Sequence, residues 1–371
     1  MEEKQALVQS LRRPSSARYD TVVAGAGPAG IMAAREAAAR CTVLLVESSR
    51  LPRNKSCGGM LHEKAQRFIA PFGPLPENIV LKPRQVAFRY HDWDRGIVKP
   101  TGVRFLNVDR PGFDRWLLDT LPDNVELVEG CPLDAFAQDE RGVRAVLRVD
   151  GEPSGVTCEN LVGADGARSV IRRGLGLRPL ATYVTLQDWV RLDGDLEPFF
   201  DCIYMREVGD SFAYGYIVPK GDRAIIGSVF YPKTRRPHEK QDSVLGVLRD
   251  TLPQLGPRLS REAWVAPSVR SPEDVVPGAG RVLLVGEAGG FMSPTSGEGI
   301  SYALRSGALA GKALAKSSPD SALSAYTAAS APLSREIRRK LRWLPVMESE
   351  LGKYIGGLAP AAIVSAMTRG L

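Results

Sequence analysis

Residues 19–40 read YDTVVAGAGPAGIMAAREAAAR, and this stretch decides the fold. Residues 19–24 form a short β-branched run typical of a buried strand, and the alanine-rich residues 31–40 favour a helix. Between them, residues 25–30 satisfy the pattern G-x-G-x-x-G. A second apolar run ends in Glu47, so strand, turn, helix, strand and acid follow in the order of a dinucleotide-binding unit.

Each residue of this unit has a predicted role. Gly25 permits the tight turn, Gly27 lets the backbone approach a pyrophosphate, and Gly30 lets the helix pack closely on the strand. Ala29 lies in the first helical turn, where free N–H groups and the helix dipole favour phosphate. Glu47 lies 22 residues after Gly25, in position to accept hydrogen bonds from a ribose. Glycine turns also recur for structural reasons alone, and the order of elements favours the nucleotide.

Two later segments repeat the strand–glycine pattern. Residues 160–173 read NLVGADGARSVIRR, and residues 281–307 read RVLLVGEAGGFMSPTSGEGISYALRSG. Each places an acid after an apolar strand, Asp165 in one and Glu287 in the other. Such an acid can bind ribose or ribitol hydroxyls, and the helix predicted after Gly299 can point N–H groups at phosphate or at flavin carbonyls.

Taken together, the three segments resemble the FAD-binding set of the para-hydroxybenzoate hydroxylase-like flavoproteins. Within that group the sequence resembles the geranylgeranyl reductase family most closely, through residues 52–59 (PRNKSCGG), 109–117 (DRPGFDRWL) and 214–220 (YGYIVPK). The likeness extends from about residue 19 to 310. Two positions differ: Gly286-Glu287 stands where Gly-Asp is usual, and Tyr216 stands where some members have Trp.

The resemblance implies a set of FAD contacts, namely Gly25, Gly27, Ala29, Gly30, Glu47, Lys55, Cys57, Gly58, Gly59, Arg110, Asp165, Gly166, Gly286, Glu287, Pro294, Gly297, Gly299 and Ile300. It implies that Arg110 reaches the pyrophosphate, which suits a guanidinium fork. The alternative is that Arg110 merely begins an amphipathic helix. For Asp165 the alternative is a turn residue before a helix cap.

The resemblance also places the loop around Cys57 beside the isoalloxazine ring. Cys57 and Tyr216 are the catalytic candidates, and a thiol at this point can donate a proton or tune the flavin. The alternative for Cys57 is a small residue in a tight loop. Tyr214, Tyr216 and Lys220 are the candidates for a substrate pocket. Their alternatives are core packing for the tyrosines and a water-facing turn for Lys220.

Composition excludes several other classes of protein. With 371 residues, 44% hydrophobic and 25% charged, the chain has the balance of a globular protein. Its five cysteines include no C-x-x-C pair and its three histidines are scattered, so we predict no metal site. The thiols are interpreted as reduced, and the chain as cytoplasmic. The longest apolar run, residues 358–367, is shorter than the roughly 20 residues that cross a bilayer.

The net charge of +7 is concentrated near the ends of the chain. A folded surface without a basic stripe argues against nucleic acid. Residues 334–344 place Ile337, Leu341 and Leu344 on one helical stripe among basic residues, and Pro345 is expected to end or kink the helix. A basic amphipathic helix can lie on an anionic membrane face, which predicts possible peripheral contact with the inner face of a membrane. The alternative is a helix packed on its own domain.

The sequence therefore predicts a mixed α/β protein with a Rossmann-like FAD-binding domain, an antiparallel-sheet substrate domain and a helical C-terminal segment. The predicted boundaries are 1–18 for a flexible N-terminal extension, 19–80, 106–180 and 275–316 for the discontinuous FAD-binding domain, 81–105 and 181–274 for the substrate domain, and 317–371 for the C-terminal segment.

The function that the resemblance implies is an FAD-dependent oxidoreductase. We expect reduced FAD to deliver hydride to a carbon–carbon double bond of an isoprenoid or other lipid-like substrate. The alternatives are a flavin monooxygenase or halogenase on the same scaffold, and a non-catalytic flavin- or lipid-binding protein. No second dinucleotide fingerprint is visible, so the electron donor is either transiently bound NADPH or a small redox protein.

Overall fold

The computed structural model describes residues 17–53, 55–205, 212–349, 351–352 and 360, and all structural statements refer to these. The strands are β1 (Ala17–Ala24), β2 (Val43–Glu47), β3 (Met60–His62), β4 (Val80–Asp92), β5 (Ile97–Val108), β6 (Val125–Glu129), β7 (Leu133–Asp139), β8 (Gly142–Val149), β9 (Glu152–Gly163), β10 (Ala181–Leu192), β11 (Phe199–Tyr204), β12 (Phe212–Lys220), β13 (Arg223–Phe230), β14 (Leu255–Ser268), β15 (Gly278–Ala279) and β16 (Val282–Leu284).

The α-helices are α1 (Pro28–Ala37), α2 (Glu63–Ile69), α3 (Arg110–Leu118), α4 (Val170–Gly174), α5 (Pro237–Thr251), α6 (Ile300–Lys316), α7 (Ala322–Leu341) and α8 (Leu344–Glu348). Short 3₁₀ turns lie at Ala70–Phe72, Glu77–Ile79, Pro272–Asp274 and Gly286–Gly289. No described helix is both long and apolar enough to span a membrane.

The chain divides into two compact units. The first is formed by residues up to 53, 114–180 and 269–341, and the second by residues 54–113, 181–268 and those from 342 onward. Residues 54–80 and 106–113 had been expected in the FAD-binding domain, whereas the structure places them in the second unit. The reason is strand pairing, because β3 and β4 both pair antiparallel with β5.

The first unit is built on a sheet with the strand order β15-β16-β9-β1-β2-β6. Strands β16, β9, β1, β2 and β6 run parallel, as in a nucleotide-binding fold. The antiparallel pair β7–β8 joins the same sheet through β9, as expected for strands appended to this domain. Val22, Leu161 and Leu284 on adjacent strands are fully buried, so the sheet forms the core of this unit.

The second unit is built on an eight-stranded sheet in the order β14-β10-β13-β12-β11-β4-β5-β3. Its neighbours are antiparallel except for β11 and β4, which run parallel. Helix α5 packs Val244, Leu245 and Leu248 against buried residues of β10 and β13. The alternating pattern of Ala224–Phe230 therefore belongs to a sheet, as the sequence predicted, and the mixed α/β fold class is confirmed.

The segment before Pro345 differs from the sequence prediction. Helix α7 continues through Pro332 and ends at Leu341, and Pro345 lies in the first turn of α8. Lys340, expected on a basic face, is buried and donates to the Tyr302 hydroxyl at 2.9 Å. Its burial follows from this bond and from Glu336, whose carboxylate lies 3.6 Å from the amine. Residues 1–16, 353–359 and 361–371 lie outside the described part.

Candidate functional site

The glycine turn of the first unit connects β1 to α1. Gly25 has φ +107° and donates its N–H to Val46 O at 2.7 Å, which ties the turn to β2. A methyl group at Gly30 would lie 1.8 Å from Gly25 O, and one at Gly25 would lie 2.4 Å from Ala164 O. These two glycines are therefore required by packing. Helix α1 begins with Pro28 and Ala29, and a first turn leaves N–H groups without intrahelical acceptors.

Gly27 differs from the other two glycines of the turn. A methyl group there would meet only the end of the Arg53 side chain, at 3.1 Å from Nη2. The fold itself does not require glycine at this position, because a flexible side chain can give way. A backbone that must approach a ligand closely would require it.

Glu47 is held at the carboxyl end of β2. Its side chain is only 4% exposed, and its carboxylate accepts hydrogen bonds from Ala26 N at 2.8 Å and Ser49 N at 3.1 Å. Arg53 Nε lies 3.6 Å away and has no hydrogen-bond partner among the described residues. Glu47 thus fixes the turn, and it stands beside the Arg53 side chain, whose buried Nε has no hydrogen-bond partner among the described residues. Leu51, Arg53, Asp114 and neighbouring residues line a cavity of about 230 Å³ here.

Asp165 uses one carboxylate oxygen as a helix cap and leaves the other without a partner among the described residues. Its Oδ2 accepts from Val170 N at 2.7 Å and from Ile171 N at 3.2 Å, which caps α4. Its Oδ1 is inaccessible to water and has no partner among the described residues. Burial raises the pKa of this carboxyl. Arg172, by contrast, gives its guanidinium to the backbone carbonyls of Arg178, Ala288 and Asp274, which is a structural role.

The third segment is brought against the other two within the first unit. A methyl group at Gly166 would lie 3.5 Å from Glu287 Oε2, and one at Gly286 would lie 2.9 Å from Ala29 Cβ. Helix α6 packs on α1 so closely that a methyl group at Gly307 would lie 2.1 Å from Ala29 O. The acids of the second and third segments thus lie beside the glycine turn.

The loop before α6 is closed by its own hydrogen bonds. Ser293 N donates to Glu298 O at 2.8 Å, and Gly297 N donates to Ser293 O at 3.1 Å, with Gly297 at φ +67°. Gly299 is the N-cap of α6, and Glu298 Oε1 accepts from Ser301 N at 2.7 Å. Pro294 lies within this loop and Ile300 begins the helix. All four predicted contacts of this segment therefore lie at one helix N-terminus.

In the second unit, the loop around Cys57 borders a cavity of about 280 Å³. The lining residues are Lys55, Cys57, Val108, Asp109, Arg110, Pro111, Trp189, Lys220 and Glu262. Gly59 N donates to Cys57 Sγ at 3.4 Å, and the Ser56 hydroxyl bonds the Gln187 side chain. The structure thus groups the predicted residues Lys55, Cys57, Arg110 and Lys220 around one space.

Lys220 is not a water-facing turn residue. It ends β12 at 2% exposure, and its amine donates to Asn107 Oδ1 at 2.6 Å and to Val108 O at 3.1 Å. Burial lowers the pKa of Lys220 to about 7, because desolvation disfavours the ammonium, against the attraction of the charges of Cys57 and Asp109. The amine therefore changes charge near neutral pH.

The two tyrosines of the predicted pocket lie two residues apart on β12. Tyr216 pairs in register with Cys202 and with Gly227, where a methyl group would lie 2.0 Å from the ring. Its ring also meets Phe200 edge-on at 5.9 Å. Burial raises the pKa of both Tyr214 and Tyr216, so both hydroxyls keep their protons. Neither tyrosine lines the 280 Å³ cavity.

Sequence reasoning missed several residues of these two regions. Arg53 was part of a quoted motif, so its position after β2 was a usable signal. Trp189 and Glu262 come from adjacent strands β10 and β14, and Trp189 Nε1 donates to Glu262 Oε1 at 3.2 Å. No local pattern marks this pair. Among the described residues, no cluster of His, Cys, Asp and Glu could hold a metal ion.

The first unit fits the adenosine diphosphate part of a dinucleotide. The turn offers backbone N–H groups where Gly27 leaves room, and Arg53 supplies a positive charge with an unused donor. Asp165 Oδ1 is a buried acceptor without a partner among the described residues, as a sugar hydroxyl requires. Fold and residues together define a nucleotide-binding flavoprotein class.

Comparison with known families gives the particular assignment. The chain belongs to the FAD binding domain family, whose model matches residues 18–340. FAD is therefore the cofactor, and the chain is a member of a family of FAD-dependent enzymes.

Among the relatives, Protein CbrA of Escherichia coli O9:H4 (strain HS) is 28% identical over 333 residues, which cover 87% of each chain. Among the solved structures, a geranylgeranyl bacteriochlorophyll reductase-like protein from Thermoplasma acidophilum superposes with a TM-score of 0.77, 19% identity and coverage of 94% and 90% of the two chains. The flavin-dependent halogenase CmlS superposes with a TM-score of 0.71 and 19% identity, over 91% and 67%. At these identities the superpositions establish the shared fold.

Proposed function

We propose that this protein is an FAD-dependent reductase of carbon–carbon double bonds in an isoprenoid or other lipid-like substrate. The observation that carries the proposal is the Cys57 thiol at the edge of a cavity, in the C-G-G loop through which the sequence resembles geranylgeranyl reductases. The similarity in fold to the Thermoplasma acidophilum reductase-like protein supports the same choice.

The first unit holds the cofactor in this proposal. The turn at Gly27 and the start of α1 bind the pyrophosphate, and Arg53 adds a positive charge to this position. Asp165 Oδ1 accepts from a sugar hydroxyl, while its Oδ2 stays on α4. Gly297 and Gly299 present backbone N–H groups at the start of α6. Arg110 is proposed to bind phosphate, as the resemblance implies.

The proposed chemistry adds two hydrogens across the double bond. FAD, when bound and reduced, supplies the hydride to one carbon. The Cys57 thiol supplies the proton to the other carbon and regains a proton from water. The two electrons come from NADPH or from a small redox protein. Tyr216 packs edge-on against Phe200 and neither tyrosine lines the cavity, so the proposal gives Tyr214 and Tyr216 a packing role in the second sheet.

The experiment that tests this proposal follows the mass of the substrate. The purified protein is reduced anaerobically and incubated with a geranylgeranylated substrate in D₂O. We expect a gain of two hydrogens per reduced bond, with deuterium at the protonated carbon. Cys57→Ser should lower the rate by about 10²-fold or more, in the range typical of general acid catalysis. Cys41→Ser is the matched control, because Cys41 lies in the first unit and lines neither cavity.

Two results would replace the proposal. No change of substrate mass in the anaerobic assay, followed after admission of air by substrate-dependent oxygen uptake and a gain of one oxygen or one halogen atom, would establish the monooxygenase or halogenase alternative. No turnover with any reductant, with FAD still bound, would establish a non-catalytic flavoprotein.

The stripe predicted to face lipid packs on the protein instead, because Ile337 and Leu344 are buried. We therefore propose peripheral contact with an anionic membrane surface through the segment after α7. The segment after α7 exposes Trp343 (50%), Val346 (46%) and Leu351 (67%) beside the exposed Arg342. Exposed apolar residues next to a cation suit the boundary of an anionic lipid layer. Flotation with phosphatidylglycerol vesicles should carry the protein upward, and Trp343→Ser with Leu351→Ser should abolish this. Equal recovery with pure phosphatidylcholine vesicles would contradict the role of charge.

A further inference from the structure

Lys220 is a buried amine held only by neutral acceptors. Its Nζ lies 2.6 Å from Asn107 Oδ1, 3.1 Å from Val108 O and 3.5 Å from Gly59 O. An ammonium has three N–H donors, and three acceptors surround it. Among the described residues no carboxylate lies within ion-pair distance of this amine. A lysine at the end of a strand has a stem long enough to reach water, so its burial without a counterion calls for a reason.

Asn107 is itself fixed for this contact. Its amide Nδ2 donates to Pro83 O at 3.1 Å and to Pro219 O at 2.9 Å, which leaves Oδ1 directed at the amine. Both amide hydrogens are used, so the orientation of the side chain is determined by its partners. The acceptor for Lys220 is therefore built into the ends of β4, β5 and β12.

The amine acts on the Cys57 loop through Gly59. Gly59 O accepts from Val108 N at 2.9 Å as well as from Lys220, and Gly59 N donates to Cys57 Sγ. Gly59 has φ +60°, and a methyl group there would lie 2.8 Å from Lys220 Nζ and 2.2 Å from Val108 O. One residue thus connects the amine on one side with the thiol on the other.

We propose that Lys220 is a positioning residue for Cys57, which holds the Cys57–Gly59 loop through Gly59 and places its amine on the same cavity as the thiol. This inference rests on the proposed function, since it explains how the thiol assigned there is kept in place.

The charge on Lys220 changes in the range where proteins work. Burial lowers the pKa of the amine to about 7, and the attraction of the Cys57 thiolate and of Asp109 acts against this. Other charged groups face the same region from each neighbouring element: Lys55 from the loop, Asp109 and Arg110 after β5, Glu262 from β14, and Arg223 from β13 against Trp189.

The test is the alkylation rate of Cys57 as a function of pH, read peptide by peptide in a mass spectrometer. For each protein the alkylation rate at pH 6 is divided by the rate at pH 9. We expect this quotient to be about threefold larger in the wild-type protein than in Lys220→Met, which is the effect of a weak charge–charge interaction. Lys82→Met is the matched control, because that side chain is exposed although its carbonyl binds Gly221 N. It should follow the wild-type profile.

Superimposable profiles for wild type and Lys220→Met would overturn the proposal. If Lys220→Met does not fold, the wild-type protein labelled with ¹³Cε-lysine replaces it. One lysine should then titrate near neutral pH, and Cys57→Ser should shift that titration to lower pH because the thiolate is gone. The absence of any lysine signal that titrates below pH 9 would also overturn the proposal. Neither experiment needs a substrate, so failure to reduce any alkene would refute the proposed function alone.

Discussion

The glycine turn of the first unit and the cavity of the second unit are built from different materials. The turn presents backbone to a ligand at Gly25, Gly27 and Gly30, and neighbouring side chains such as that of Glu47 hydrogen-bond to this backbone. The cavity is instead lined by side chains such as Cys57, Trp189 and Lys220, from five separate segments. A backbone cradle suits one invariant ligand, whereas side chains can be exchanged to change the chemistry. The cofactor is therefore tied to the fold, and the reaction to the lining of the cavity.

The largest expected effect is in the frame of the cradle. Gly30→Ala places a methyl group 1.8 Å from Gly25 O. The methyl carbon is fixed to the helix backbone and the oxygen belongs to the backbone of the turn, so no side-chain rotation can relieve the overlap. We expect the free energy of unfolding to fall by about 3–5 kcal/mol, as for other steric overlaps in a core. Urea denaturation followed by circular dichroism measures this. If Gly30→Ala unfolded at the same urea concentration as the wild-type protein, α1 would have to be able to shift away from β1.

Gly27→Ala separates binding from folding in the same turn. Its methyl group meets only the flexible end of Arg53. The free energy of unfolding of the apoprotein should therefore stay within about 0.5 kcal/mol of the wild-type value, as for ordinary tolerated substitutions. The affinity for FAD should fall about 30-fold or more, since the methyl group separates the backbone from the pyrophosphate. Urea denaturation of the apoprotein measures the first value, and fluorescence titration of the apoprotein with FAD measures the second. Unchanged affinity would remove Gly27 from the proposed site.

Lys220 gives the corresponding test of the cavity. In the folded state its amine loses its proton near pH 7, whereas in the unfolded chain it keeps it up to its ordinary value of 10.5. Between these values the unfolded state binds one proton more, so this group makes stability rise with pH. We expect the difference in unfolding free energy, wild type minus Lys220→Met, to rise by up to about 1.4 kcal/mol per pH unit between pH 7.5 and 9.

Denaturation at several pH values checks this slope, and the difference between two proteins cancels the titration of the other groups. A flat difference over that range would mean that Lys220 stays charged in the folded protein. In that case a fixed ammonium, and no change of charge, would face Cys57.

The smallest expected effect lies outside both regions. Gly246 is inside helix α5, and a methyl group there meets nothing within 4 Å. Gly246→Ala should raise the free energy of unfolding by about 0.5–1 kcal/mol through helix propensity. FAD affinity and Cys57 alkylation should stay at wild-type values. A change in the FAD affinity or in the alkylation rate would show that both quantities depend on overall stability. The effects expected for Gly27→Ala and Lys220→Met could then not be assigned to the two regions themselves.

The sequence alone was sufficient for the local parts of the first unit. Residues 19–47 predict a strand, a turn, a helix, a second strand and an acid, because apolar periodicity and glycine spacing are local patterns that involve only residues close in sequence. The same reasoning left Asp165 with two interpretations, turn residue or cofactor contact. Only the structure shows that one oxygen caps α4 while the other has no partner among the described residues.

For Lys220 the sequence favoured a turn lysine facing water, because it precedes the hairpin signal Gly221-Asp222, and this prediction is wrong since Lys220 is buried. The distances to Asn107 and Gly59 depend on how β5 and β12 are placed in one sheet, and that placement is set by pairing across more than 100 residues. The pairing of Trp189 with Glu262 likewise depends on the register of β10 and β14. Local physics therefore determined which cofactor class the chain is built for. Tertiary packing alone decided which side chains share the cavity, because burial and proton affinity depend on neighbours that are distant in sequence.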